Sequence, residues 1–165
     1  HSTSRRQRQM CIRDRESTYT KNVFVYNTNK VEPYKEVLTI GSYLKLRHVA
    51  QAFNLKENQE RLIISLNHFK SKSSGSGTDT DQYDGQGKSN NQRKAEAYTL
   101  VNELNTLTNY YEDPDILILG DLNAYSREDP IRILTNASLV NLLDISLRRI
   151  IAMSTMELSV IWITP

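Results

Sequence analysis

Asp115–Pro130 reads DILILGDLNAYSREDP, and the fold turns on this stretch. Ile116 to Leu119 form a continuous apolar run that opens after Pro114 and stops at Gly120, the pattern of a strand buried on both faces. Asp121 and Asn123 follow directly, one residue apart, so extended backbone turns both side chains to one side. An ionised carboxylate only accepts hydrogen bonds, whereas an amide also donates them. The pair therefore suits a cation or a polarised water together with a phosphate oxygen. In open α/β sheets ligands gather at the carboxyl ends of the strands, which is where this pair falls. Gly, Asp and Asn also shape ordinary turns, so the spacing by itself leaves a turn and a site equally open.

Working outward, a second strand ends in the same way. Arg61 to Leu66 read as a strand whose end brings Asn67 and His68 just past the apolar run. Leu44 to Leu55 read as its partner across a polar Lys56 to Glu60 turn, giving an antiparallel hairpin. His48, inside that partner, reads as a partly buried structural residue. Before them, Val23 to Tyr26 predict a strand, and Asn27 to Pro33 a turn and an extended piece. Ser71 to Lys88 is a long polar loop, hence functional or mobile. Asp79, Asp81 and Asp84 within it lack the Gly and distal Glu of a calcium loop and are expected to be solvated. Ala97, Leu100, Val101, Leu104 and Leu107 recur at helical spacing, so Asn91 to Asn109 is expected to cover one sheet face. Asp129 then reads as the cap of another helix, with Pro130 in its first turn.

Three stretches together resemble one family. LGDLNAY followed by SREDPIRIL, NHFKSKSSGSG, and DGQGKSNNQR are similar, in order and at plausible spacing, to motifs of the endonuclease/exonuclease/phosphatase (DNase I-like) superfamily, in its bacterial extracellular nuclease branch. The likeness runs from about Val23 to Asp144, with weaker support at VFVYNTNKVEP and LRHVAQAF. It implies an α/β (α+β) fold, part of a DNase I-like sandwich of mostly antiparallel sheet covered by helices. It also implies a metal-dependent phosphodiester hydrolase acting on nucleic acid, DNA foremost. His68, Asp121 and Asn123 would be catalytic: His68 assists at the phosphate or leaving oxygen, Asp121 orients the base or water, and Asn123 holds the phosphate. Asp121 and Asn123 would also be the metal residues, for Mg²⁺ with Ca²⁺ or Mn²⁺ as alternatives. Lys70, Asn90 and Arg93 would contact substrate, although Lys70 and Lys72 read equally well as a solvated loop, and Arg93 could instead brace the loop.

Charge adds little. Five Arg against one Asp fall in residues 1–15, so the small excess of positive charge lies in the leader and the rest is slightly acidic. That leader, expected over 1–20, has no periodicity and reads as unstructured translated adaptor sequence. No apolar run of about 18 residues predicts a membrane span, and no apolar segment marks a signal peptide. An extracellular location is implied by the resemblance alone. Cys11, the single cysteine, has no partner within the chain, and no protein partner is expected.

The family's pattern is incomplete here. Its upstream Asn and metal-binding Glu have no match before Val23, and no His stands in the closing SLRRIIAMSTMELSVIWITP where an Asp-His pair is expected. Read from the third base of each codon, AMSTMELSVIWITP can encode a stretch resembling that pair. A frameshift near Asp144 to Ser146 is therefore expected, against a true terminal strand in ELSVIWI. The expected organisation is a leader over 1–20, the central part of one catalytic domain over 21–145, and an aberrant tail over 146–165. Alternatives are a phosphoinositide phosphatase or sphingomyelinase of the same fold, and a non-catalytic nucleic-acid-binding remnant.

Overall fold

Alternating apolar residues on both sides of a short polar turn favour a hairpin, and the computed structural model, which describes residues 8–10, 22–41, 47–142, 144 and 159–163, contains one there. β4 (His48–Leu55) pairs antiparallel with β5 (Arg61–His68), in a register that sets His48 opposite Asn67. β3 (Val31–Thr39) adds to the outer edge of β4. Its ladder slips between Tyr34 and Leu38, and the freed carbonyls find side-chain donors. Gln51 Nε2 donates to Tyr34 O at 2.9 Å, and the Tyr111 hydroxyl donates to Glu36 O at 2.8 Å.

On the other side of β5 the chain crosses over through α1 (Asn90–Tyr111) and returns as β6 (Ile116–Asp121), parallel to β5. A parallel neighbour requires such a crossover, and a helix is its usual form. The six-stranded sheet is completed by β7 (Leu139–Asn141) and β8 (Ser159–Ile163), in the order β3-β4-β5-β6-β8-β7. Every pairing but β5–β6 is antiparallel. This is the mixed, mostly antiparallel α+β sheet that the sequence led us to expect.

Two stretches fall partly outside the described residues. In the leader, only β1 (Arg8–Met10) is described, and it pairs antiparallel with β2 (Val25–Asn27). In the tail, β8 is described, inserted between β6 and β7; the expected frameshift point lies mostly among positions outside the described residues.

The sheet's two faces differ. Ala97, Leu100, Leu104, Leu107 and Tyr111 of α1 pack on Ile63, Ile116 and Ile118, and α2 (Asp129–Asn136) adds Ile131 and Leu134 to the same core. Leu117 and Leu119, on the opposite face of β6, are only partly buried and share that side with Leu62, Ile64, Leu66 and Phe53. β6 is thus covered fully on one face, not both: alternate side chains point to opposite faces, and the helices lie on one of them. The α2 start also shifts by one residue. Glu128 is the extended capping residue and Asp129 the first helical one, its N–H donating to Gln86 Oε1 at 2.9 Å.

His48 is buried beneath the sheet end. Asn67 uses its Nδ2 on Ser65 O and Oγ, so its Oδ1 accepts from His48, and Nδ1 of that ring carries the proton. Nε2 has no partner among the described residues, and burial pushes the imidazole pKa down to about 4, the Asn67 hydrogen bond opposing. The unfolded chain therefore takes up a proton near pH 6.5 that the folded one refuses until about pH 4. Stability should be intact above pH 6.5, fall as pH drops from 6.5 to about 4, and level off below. His48→Gln, which keeps a donor for Asn67, should remove on the order of 3 kcal/mol of that pH dependence. Urea midpoints at pH 7.5, 5.5 and 4.5 check this; equal slopes for wild type and variant would refute it.

Candidate active site

The parallel register of β5 and β6 pairs His68 directly with Asp121, the last residues of the two strands. The ladder runs one step further, Phe69 N–H donating to Asp121 O at 2.9 Å. This approach needs a residue without a side chain. A Cβ on Gly120 would stand 1.9 Å from Asn67 O, and its φ of +130° is open only to glycine. Asn123 then folds back. Its backbone is left-handed, φ +48°, its N–H donates to Asp121 Oδ1 at 2.9 Å, and its Nδ2 donates to Phe69 O at 3.1 Å. Asn tolerates this conformation better than most side chains. His68, Asp121 and Asn123, distant in sequence, thus meet at one corner.

The corner's electrostatics follow from burial and one neighbour. His68 is half-buried, and its pKa is lowered chiefly by desolvation and then by Arg47, with Asp121 opposing. At neutral pH its imidazole is therefore uncharged, with one N–H to donate and one lone pair to accept. Asp121 is exposed. Its Oδ1 is engaged by the Asn123 N–H.

Arg47 was not singled out from the sequence. Its Nη2 donates to Phe69 O at 3.1 Å, while its Nε is buried without a partner among the described residues. The signal was in the hairpin register: with His48 opposite Asn67, position 47 falls beside His68.

Lys70, Asn90 and Arg93 occupy different places. The Lys70 N–H donates to Glu96 Oε2 at 2.7 Å, and its side chain lines a polar cleft of about 350 Å³ with Ser74, Ser76, Ser89 and Gln92. Arg93 is 0% exposed. Its Nη1 donates to Lys88 O at 2.6 Å and its Nη2 to Gln86 O at 2.7 Å, so of its two expected positions it takes the one that braces the loop. Asn90 Nδ2 donates to Asp129 Oδ2 at 2.9 Å, tying α1 to α2. Lys72 is bound to Glu128 Oε1 at 2.6 Å. Asp79, expected to be solvated, instead accepts from the N–H groups of Asn91 and Gln92 and caps the first turn of α1.

Among the described residues no three or more His, Cys, Asp or Glu gather to hold a metal ion. Asp121 and Asn123 contribute one carboxylate and one amide, with half of the carboxylate already accepting from backbone. Divalent cations of this kind take six or more oxygens, several from carboxylates or water. The described residues therefore do not fit a complete metal centre.

No protein-family model matches the chain, and no curated protein sequence does. Solved structures do. The catalytic domain of human Nocturnin, with bound sulfate anion, is similar at 16% identity and TM-score 0.58, over 85% of this chain and 50% of that one. An endonuclease/exonuclease/phosphatase family protein from Bacteroides thetaiotaomicron is similar at 9% identity and TM-score 0.54, over 85% of this chain and 53% of that one. A humanized TDP2 from D. rerio, carrying 14 mutations, follows at 9% identity and TM-score 0.50, over 85% of this chain and 52% of that one. The chain's fold is therefore like part of the fold of these structures, an endonuclease/exonuclease/phosphatase family protein among them. The chain spans about half the length of the structures it matches.

Two substitutions examine the scaffold. Gly120→Ala should cost about 3 kcal/mol or more, or abolish folding, since both the close approach and the φ forbid a side chain; a thermal midpoint within a degree or two of wild type would contradict this. Arg93→Lys keeps the charge but cannot span several carbonyls at once. It should lower stability by about 2 kcal/mol and speed proteolysis within residues 71–88, measured by mass spectrometry of timed digests.

Proposed function

We propose that this chain is part of a phosphodiester hydrolase that cleaves nucleic acid, DNA foremost, and that His68, Asp121 and Asn123 are its catalytic residues. The observation that carries the reading is the pairing of His68 with Asp121 at the carboxyl ends of two parallel strands, closed by Asn123. A phosphate entering this corner meets the second N–H of the Asn123 amide and the N–H of a neutral His68, while Asp121 offers an acceptor to a water or a base. Lys70, beside its polar cleft, supplies a mobile positive charge for the backbone of the substrate. Asn90 and Arg93 serve the substrate indirectly, by holding the loop that frames it. The all-oxygen character of Asp121 and Asn123 supports Mg²⁺, with Ca²⁺ or Mn²⁺ as alternatives, in company with carboxylates that the described residues do not supply. The extracellular nuclease branch is favoured by HFKSK and DGQG, and with it a secreted location.

The 165-residue chain by itself should show little or no plasmid nicking with Mg²⁺. A protein extended to the full span of the fold should nick supercoiled plasmid, stop with EDTA, and lose at least about 100-fold in kcat on His68→Ala or Asp121→Ala. Because the lowered pKa keeps His68 neutral, the acid limb of its rate profile should lie below pH 6.5. Release of phosphate or headgroup from a phosphoinositide or sphingomyelin in preference to nicking, or full nicking by His68→Ala, would overturn the reading.

A further inference from the structure

We infer that Tyr125 is a stacking platform for a nucleobase of a single-stranded segment next to the phosphate held at the His68–Asp121–Asn123 corner. The inference rests on the proposed phosphodiester reading and goes past it, because it requires a substrate that carries bases.

An exposed tyrosine alone means little. Tyr125 is 58% exposed and is also held in place. The Lys72 ammonium lies 4.3 Å from its ring centroid, a cation–π contact. That ammonium is in turn fixed by Glu128 Oε1 at 2.6 Å, and the Glu128 side chain is only 8% exposed. The Glu128 N–H closes the turn by donating to Tyr125 O at 2.9 Å. One exposed aromatic ring is therefore in contact with an ammonium that a largely buried carboxylate anchors.

Position supplies the second half of the argument. Tyr125 follows Asn123 by two residues, so their Cα atoms are at most about 7 Å apart, within reach of a base attached to a phosphate at Asn123. Lys72 places positive charge against the ring, and Arg127, two residues further along the chain, is exposed. Aromatic rings interleaved with cations are how proteins hold single strands without reading their sequence, and a ring fixed in advance loses little entropy when a base stacks on it. Lipid phosphodiesters offer no such flat partner.

The test uses the 165-residue chain, an oligothymidylate, and an abasic strand of equal length and charge, with fluorescence anisotropy at fixed low salt. Wild type should bind the base-bearing strand at least about fivefold more tightly than the abasic one. Tyr125→Ala should erase that preference while leaving the abasic affinity unchanged, and Tyr125→Phe should retain it. Equal binding of both strands by wild type, with Asn123→Ala weakening both, would remove the role of Tyr125 and leave the phosphodiester reading standing. A preference that survives Tyr125→Ala would have the same meaning. Failure of wild type to bind either strand would overturn both.

Discussion

The structure depends on how closely β5 and β6 approach at their carboxyl ends. Parallel pairing carries on until His68 faces Asp121, and Gly120 permits it by presenting no atom to Asn67 O. From there each polar group follows the last. The Phe69 N–H reaches the Asp121 carbonyl, the Phe69 carbonyl receives Asn123 Nδ2 and Arg47 Nη2, and the Asp121 carboxylate receives the Asn123 N–H. A corner held by backbone ladders and short turns keeps its side chains in place before any ligand arrives.

Beneath this corner lies a second layer of buried polar groups. His48, Asn67 and Ser65 form a chain of hydrogen bonds in which the direction of each is dictated by the next. Glu96 is buried beside Lys70, and desolvation raises its carboxyl pKa against the Lys70 N–H, Arg47, Gln92 and Arg93. Arg47 thereby acts on both His68 and Glu96, linking the corner to the first turns of α1. The loop from Ser71 to Lys88, which has hardly any apolar residues to bury, is held by polar contacts instead: Arg93 on its carbonyls, Asp79 on the helix start, and Gln86 on α2. Such a loop keeps its shape through a few directed bonds, so its ordering is sensitive to single polar substitutions.

The uneven covering of the sheet bears on what the chain can do. Both helices lie on one face, while Phe24, Tyr26, Phe53, Leu62, Ile64, Leu66 and Leu119 line an apolar cleft of about 310 Å³ on the other. The metal question has the same shape. One carboxylate and one amide stand at the corner, and the chain spans about half the length of the solved structures that share its fold.

Local pattern was enough for much of this. A polar turn at Lys56 to Glu60 specified the hairpin, spacing specified α1, and the apolar run after Pro114 marked β6, which continues through Gly120 to Asp121, because periodicity and turn chemistry depend on neighbours along the chain. The letters HFK and GDLN also marked the two strand ends that meet at the corner, and DGQG the loop that Arg93 braces. What they could not supply was anything set by pairing between distant segments. Only the tertiary structure showed that Arg47 stands beside His68, that Asp79 caps a helix, that Arg93 turns inward, and that one face of β6 is left half-covered. The physical reason is the same for all four. A side chain's partner in a sheet or beneath a loop is chosen by register and by which face another element covers, and neither quantity is encoded within a window of a few residues.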